Sequence, residues 1–278
     1  MKIAISAEST IDLTKEILDE FKITTIPYNI LLGEESAIDG EITPKEIFAY
    51  VDQYKVLPKT SAINKYQFGE YFSQLLKEND AVIHFTLSSD ISCTYQNALE
   101  VSKEMKNVYI VDSKSLSTGI ALLAIKASKL AQNGKDVNEI LEIIKNDVSN
   151  VQASFVLNKL DYLKKGGRCS SLALLGANLL KIRPQILVKN GKMVSGKKYR
   201  GTFESCVKNY CEDTLKEFPN FDDSLAFVTY TSAPKECEDC AVECLKKAGF
   251  KDIRVTYAGG TISSHCGPNT LGILFIKK

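Results

Sequence analysis

Strand-like and helix-like patterns alternate along the first 150 residues of this 278-residue chain. The strand-like apolar runs are 2–6, 81–87 and 108–113, and the helical patterns that follow them are 12–21, 94–105 and 117–134. Such alternation is typical of a mostly parallel sheet covered by helices, because parallel strands are joined by crossover connections. The pattern therefore predicts an α/β fold for this part of the chain.

The pattern changes near residue 150. Two extended runs within 184–200 are joined by Asn190-Gly191, a strong signal for a tight β-hairpin. Strand-like segments at 224–231, 252–259 and 270–278 follow. Helical patterns at 203–218 and 234–249 precede the first two of these segments. We predict two α/β domains, residues 1–153 with a mostly parallel sheet and residues 154–278 with a mixed or antiparallel sheet.

Charge and composition exclude several classes of protein. The 35 basic residues nearly balance the 34 acidic ones, which argues against a nucleic-acid binder that neutralises many phosphates. No apolar stretch approaches the length of a membrane span, and the N-terminal apolar run is too short for a signal peptide. We therefore expect a cytoplasmic protein with no integral membrane segment, whose eight cysteines are reduced.

Three hydroxyl-rich loops, 60–64, 86–93 and 111–119, each precede a predicted helix, at 64–78, 94–105 and 117–134 respectively. Ligands of open parallel sheets bind at the carboxyl ends of the strands, and helix N-termini favour anions. No phosphate-binding glycine motif occurs, so a carboxylate held by neutral donors fits better than a nucleotide. The alternative is that these residues are ordinary helix caps and turns.

Seven segments between residues 7 and 273 are similar, in the same order, to the motifs of one protein family. They are AESTIDL (7–13), TSAIN (60–64), LSSDISCTYQNA (87–98), IVDSKSLSTG (110–119), LDYLKKGGRCS (160–170), KIRPQI (181–186) and SSHCGPNTLGI (263–273). On these motifs the chain resembles the DegV family of bacterial fatty-acid-binding proteins.

The chain departs from the family's patterns at a few positions. Glu8 stands where the family has aspartate, Asn64 where it has serine, and Asn269 where it has glycine. Cys93 replaces a glycine and adds a side chain beside the expected head-group site.

The resemblance implies a fatty acid bound between the two domains. Its carboxylate would be held by Thr60 and Ser92, with Ser61 as a neighbour and His265 close to the head group. The acyl chain would lie in an apolar tunnel formed largely by the second domain, and SLALLGANLL (171–180) is expected to line part of it.

The resemblance also implies a partner. The protein would present its fatty acid to a separate fatty acid kinase subunit, which makes the acyl phosphate, and Arg200 is expected to lie in the docking surface. The chain itself would be a lipid-binding protein and not an enzyme, with no cofactor and no metal.

Two other interpretations stay open at this point. Ser92, Asp112 and His265 occur in the chain order of an α/β-hydrolase triad, so a serine esterase or thioesterase is the alternative function, although no G-x-S-x-G motif is present. Cys237, Cys240 and Cys244 could suggest a metal site, but their helical spacing beside alanine and leucine favours packing in a core.

Overall fold

The computed structural model describes residues 1–168 and 182–278. Within them the strands are β1 (Ile3–Glu8), β2 (Ile23–Ile26), β3 (Asn29–Leu32), β4 (Glu35–Ile38), β5 (Lys59–Ser61), β6 (Ala81–Thr86), β7 (Val108–Asp112), β8 (Val151–Leu157), β9 (Ile182–Lys189), β10 (Lys192–Arg200), β11 (Phe221–Tyr230), β12 (Ile253–Tyr257) and β13 (Thr270–Lys277). The helices are α1 (Lys15–Glu20), α2 (Pro44–Tyr54), α3 (Lys65–Leu76), α4 (Thr94–Glu104), α5 (Thr118–Gln132), α6 (Val137–Val148), α7 (Asp161–Lys165), α8 (Phe203–Glu217), α9 (Lys235–Ala248) and α10 (Gly260–Cys266).

The first sheet has four parallel strands in the order β2-β1-β6-β7. All six residues of β6 are buried, as expected for a central strand with both faces covered. Asn64, one of the departures from the family motif, caps α3 by accepting the backbone N–H of Gln67 at 2.9 Å. The predicted parallel sheet is confirmed.

The second sheet has six strands in the order β10-β9-β8-β13-β11-β12. Its pairs are antiparallel except for β11 and β12, so the predicted mixed sheet is also confirmed. The β9–β10 hairpin turns at Asn190 and Gly191, which both have positive φ, as a two-residue turn of this kind requires. The Ser88 hydroxyl donates to the Gly191 carbonyl at 2.8 Å, which fixes the hairpin tip to the loop after β6.

Helix α5 packs against strands of both large sheets. Its buried residues join side chains from β1 and β13 in one large apolar core, while a second core lies between the six-stranded sheet and helices α8 and α9. The predicted division between residues 153 and 154 falls within β8 and stays a prediction. The two large sheets therefore share one apolar core.

A small antiparallel sheet, in the order β4-β3-β5, lies beside the first one. The predicted loop at 60–64 is wrong for Thr60 and Ser61, which lie in β5. Ile30 of β3 pairs with Thr60 and is buried against α2, so the small sheet has an apolar anchor of its own. This sheet places Thr60 in contact with α10, in the second half of the chain.

Candidate functional site

Thr60 and His265 meet although 205 positions separate them in the sequence. Thr60 Oγ1 lies 2.9 Å from His265 Nε2, which joins β5 to α10. Burial, followed by the charge of Arg168, lowers the pKa of His265 to about 4, so the imidazole is neutral at pH 7. Its other nitrogen, Nδ1, is buried and has no hydrogen-bond partner among residues 1–168 and 182–278.

Ser92 lies just before α4, in the loop that follows the central strand β6. Its Oγ accepts from the hydroxyl of Thr94 at 3.2 Å and lies 3.3 Å from the hydroxyl of Tyr28. When both hydroxyls donate to Ser92 Oγ, its lone pairs are occupied and its own hydrogen is available for a ligand. Cys93 is exposed, so the side chain added at the family's glycine position points away from this cluster.

A cavity of about 40 Å³ brings these side chains together. The described residues that line it are Tyr28, Thr60, Leu87, Ile91, Ser92, Leu116, Leu163, Arg168, Met193, Thr261, Ile262, His265 and Cys266. Arg168 is the one member of this set with a permanent charge, and its guanidinium donates to the Gly166 carbonyl at 2.8 Å. The cavity therefore combines hydroxyl groups, one imidazole and one cation with an apolar wall.

The structure places Thr60, Ser92 and His265 on one cavity. Ser61 follows Thr60 in β5 and is not among the described lining residues, as expected for the next residue of a strand. Arg200 is exposed at the end of β10 and is likewise outside that set. The predicted tunnel segment, 171–180, lies outside the described residues.

Glu8 is a buried acid next to this cavity, and the sequence marks it only as a departure from the family motif. It lies at the end of β1 with no exposed surface, and its Oε2 accepts the Leu87 backbone N–H at 2.8 Å and the Tyr28 hydroxyl at 3.2 Å. Burial is the main cause that raises the pKa of Glu8 to about 7, against these hydrogen bonds. An acid at the end of an apolar strand was the sequence signal for it.

Two buried aspartates hold the helix that carries His265. Asp12 accepts the backbone N–H of Gly259 at 2.8 Å, and Asp39 accepts that of Gly260 at 2.7 Å. Both bonds satisfy donors at the start of α10, which otherwise has few residues with high helix propensity. Gly166 leaves room for the imidazole, because a Cβ there would lie 2.6 Å from His265 Nδ1.

The hydrolase arrangement is not present. Asp112 accepts the backbone N–H groups of Ser89 and Lys114 and forms an ion pair with Lys114, whereas the imidazole of His265 contacts Thr60. Ser92 Oγ has Tyr28 and Thr94 as neighbours, so no base–nucleophile pair links Ser92 to His265. The chain order of the three residues was not a sign of a triad.

Two of the cysteines of α9 that were predicted to pack in a core lie in or beside the second core. Cys237 is buried there and Cys244 packs against its edge, in agreement with a core-facing stripe on α9. In the described part of the chain, no cluster of three or more histidine, cysteine or acidic side chains is arranged to hold a metal ion. No helix in that part is long and apolar enough to cross a bilayer.

The family model described as "Uncharacterised protein, DegV family" matches residues 2–278. The chain belongs to the DegV family. A DegV relative named fatty acid-binding protein, from Thermotoga maritima, is 30% identical over 98% of this chain and 96% of its own length. A DegV domain-containing protein of Clostridium perfringens is 28% identical over 99% of this chain and 97% of its own length.

Solved DegV structures share this fold over the whole chain. A fatty-acid-binding DegV protein of Thermus thermophilus aligns with a TM-score of 0.92 at 25% identity, with 100% of both chains covered. DegV of Bacillus subtilis, described as a fatty acid binding protein, aligns with a TM-score of 0.87 at 27% identity, again with 100% of both chains covered. The likeness therefore covers both sheets and not one half of the molecule.

Proposed function

We propose that this chain binds a long-chain fatty acid, with the carboxylate on the hydroxyl groups of Thr60 and Ser92 and beside His265. The observation that carries the proposal is the convergence of these three side chains, from three distant parts of the sequence, on one cavity. Relatives and solved DegV structures described as fatty-acid-binding support it.

The chemistry of the cavity suits a carboxylate that must also be released. Thr60 and Ser92 are neutral donors, and Arg168 supplies one positive charge without an ion pair to a protein acid in the described residues. Charge-assisted hydrogen bonds from hydroxyls orient a carboxylate, whereas a buried ion pair with several cations would hold it more firmly. The polar end of the cavity thus sets direction more than affinity.

The apolar wall supplies the rest of the binding energy. Leu87, Ile91, Leu116 and Leu163 face the cavity. A tail of about 16 methylenes gains roughly 0.8 kcal/mol for each group removed from water, before the cost of ordering the chain. The cavity volume of about 40 Å³ suits a carboxyl group, and the segment predicted to line the acyl tunnel, 171–180, lies outside the described residues.

Lipid extraction of the protein, purified without added ligand, tests this function directly. Mass spectrometry of the extract should show a fatty acid in near-stoichiometric amount, and native mass spectrometry should show the same mass on the intact chain. A delipidated sample should take up an added fatty acid one to one. A protein that carries no lipid and binds none after delipidation would contradict the proposal.

We further propose that the loaded protein acts in the cytoplasm as the lipid-binding subunit of a fatty acid kinase system. The phosphoryl transfer takes place on the partner, so this chain needs no cofactor of its own. Arg200, exposed at the end of β10, is the proposed docking residue. Its cationic side chain suits an acidic patch on the kinase.

This second step is tested with loaded protein, a fatty acid kinase subunit and MgATP, with acyl phosphate trapped by hydroxylamine. Arg200→Glu should lower the rate of acyl phosphate formation while leaving fatty-acid content unchanged. Lys216→Glu, a charge reversal at an exposed site on α8, is the matched control. Equal rates for both variants and the wild type would remove Arg200 from the docking surface.

A further inference from the structure

The hydroxyl of Tyr28 links Glu8 to Ser92. Tyr28 Oη is 3.2 Å from Glu8 Oε2 and 3.3 Å from Ser92 Oγ, and it also lies 3.0 Å from Thr94 Oγ1. Both Glu8 and Tyr28 are buried. A ligand on Ser92 is therefore connected to a buried protein carboxyl through two hydrogen bonds.

The Glu8 carboxyl is incompletely satisfied. Oε2 accepts from the Leu87 backbone and from Tyr28, with a longer contact to Thr10 at 3.5 Å. Oε1 is buried and has no partner in the described part of the chain. None of the groups that hydrogen-bond to Glu8 is a cation. A buried carboxylate with a free oxygen and no ion pair readily exchanges its charge for a proton.

We infer that Glu8 is a proton-binding member of the head-group site, so that a fatty-acid carboxylate enters together with one proton, which neutralises Glu8. The inference rests on the proposed function. Glu8 is buried behind Tyr28 and is not among the described residues that line the cavity, whereas Arg168, the cation of that lining, is exposed. A ligand carboxylate on Ser92 therefore places a second negative charge near an ionised Glu8, which has no cation among its hydrogen-bond partners. Uptake of one proton removes this repulsion, because nearby like charges in a poorly solvated region disfavour each other's ionisation.

Protonation also changes the hydrogen bonds that reach Ser92. The Tyr28 hydroxyl has one hydrogen and three neighbouring oxygens, on Glu8, Ser92 and Thr94. An ionised Glu8 takes that hydrogen, whereas a protonated Glu8 can donate to Tyr28 and free the tyrosine hydrogen for Ser92. A Ser92 that accepts this bond directs its own hydrogen to the ligand.

Other titratable groups around Glu8 do not account for such an uptake. On the neighbouring strand β6, burial lowers the pKa of His84 to about 3, and the pKa of His265 is about 4, so both stay neutral above pH 6. Burial raises the pKa of Tyr28 well above its usual value. Among the described residues around Glu8, Asp12 is the competitor, since burial raises its pKa too, but its carboxyl accepts hydrogen bonds from Ser117 and Gly259.

Calorimetric titration with dodecanoate, in two buffers with different ionisation enthalpies, counts the protons taken up. The wild type should take up about one proton per ligand near pH 8.5, and its Kd should rise about tenfold per pH unit above the pKa of Glu8, which is about 7. Below that pH the Kd should level off. A Kd that is independent of pH, with no proton uptake, would overturn the inference.

Variants assign the proton to a residue. Glu8→Gln, a neutral substitute of the same shape, should bind at pH 8.5 with the affinity that the wild type has at low pH, without proton uptake. Glu8→Asp and the control Glu78→Gln, at an exposed site, should keep the uptake. Uptake that persists in Glu8→Gln overturns the inference, because the proton then belongs to the fatty acid or to Asp12. Absence of dodecanoate binding at every pH overturns the proposed function as well.

Discussion

Two buried tyrosines show how differently the two halves of the molecule use polar groups. In the second core, the Tyr210 hydroxyl donates to the Ser154 carbonyl at 2.7 Å and accepts the Ile273 backbone N–H at 3.0 Å. At the cavity, the Tyr28 hydroxyl has three oxygen neighbours at 3.0 to 3.3 Å. The Tyr210 hydroxyl thus has one partner for its hydrogen and a backbone donor for a lone pair, whereas the single hydrogen of the Tyr28 hydroxyl has three oxygens within reach.

The difference indicates which region is built for stability and which for a ligand. A buried polar atom without a partner costs about 1 to 3 kcal/mol, so such atoms are rare in a well-packed core. Of the eight such atoms in the described residues, three occur at or beside the cavity, on Glu8, Thr261 and His265, whereas the Tyr210 network has one, on Gln152. The cost of those three is offset when a bound molecule supplies the missing partners, which is consistent with a head-group site at this place.

Removing the two proposed carboxylate ligands should have the largest effect. Thr60→Ala combined with Ser92→Ala deletes two charge-assisted hydrogen bonds, each about 1.5 to 3 kcal/mol. Fatty-acid affinity, measured on delipidated protein, should fall at least about 100-fold. Ser61→Ala is the matched control and should change affinity by less than about threefold, since Ser61 does not line the cavity among the described residues. Equal losses in both proteins would contradict the assignment.

Glu8 should make stability depend on pH. Its pKa is raised in the folded state from 4.5 to about 7. The stabilisation of the fold that comes from protonated Glu8 is therefore fully present below pH 4.5 and is lost as the pH rises through 7. As the pH rises from 4.5 to 7, the free energy of unfolding of Glu8→Gln should therefore increase relative to that of the wild type, by on the order of 3 kcal/mol.

Urea unfolding of the ligand-free proteins at pH 5 and pH 8 measures this difference. Comparison of the two proteins at each pH cancels the opposite contributions of His84 and His265, whose lowered pKa values make the fold less stable in acid. Glu78→Gln, at an exposed site, is the control and should show the wild-type dependence. Parallel curves for wild type and Glu8→Gln would show that Glu8 is ionised normally in the folded protein.

Tyr210→Phe should destabilise the fold without touching ligand binding. The change removes the buried tyrosine partner of the Ile273 N–H and of the Ser154 carbonyl, at a cost of about 1 to 3 kcal/mol in the free energy of unfolding. The urea midpoint should shift with an unchanged m-value. A loss of fatty-acid affinity in the folded variant would break the division between a structural core and a ligand site.

The same division explains what could be read from the sequence. The parallel sheet and the β9–β10 hairpin follow from local patterns, namely alternation of strand and helix and the Asn190-Gly191 turn. Strand β5 was missed because Lys59, Thr60 and Ser61 show no apolar alternation, and their pairing with β3 is a tertiary contact.

The site was only partly predictable. Thr60, Ser92 and His265 came from family motifs, and the structure brings them together. Helix α10 was not expected, since its glycine, threonine and serine residues favour other conformations and the helix depends on Asp12 and Asp39. The burial of Glu8 depends on neighbours from distant strands, which no local pattern reports.

Tyr28→Phe should have the smallest effect on stability, and it tests the contrast between Tyr28 and Tyr210 most directly. Glu8 keeps its bond from the Leu87 backbone, and Thr94 still reaches Ser92, so each partner of the lost hydroxyl retains another contact. We expect less than about 1 kcal/mol of destabilisation in urea, below the loss in Tyr210→Phe. Affinity for a fatty acid should fall by a few fold, because Ser92 loses the donor that orients its hydrogen. If the two variants lost equal stability and Tyr28→Phe bound normally, the cavity network would be structural, in the same way as the contacts of Tyr210.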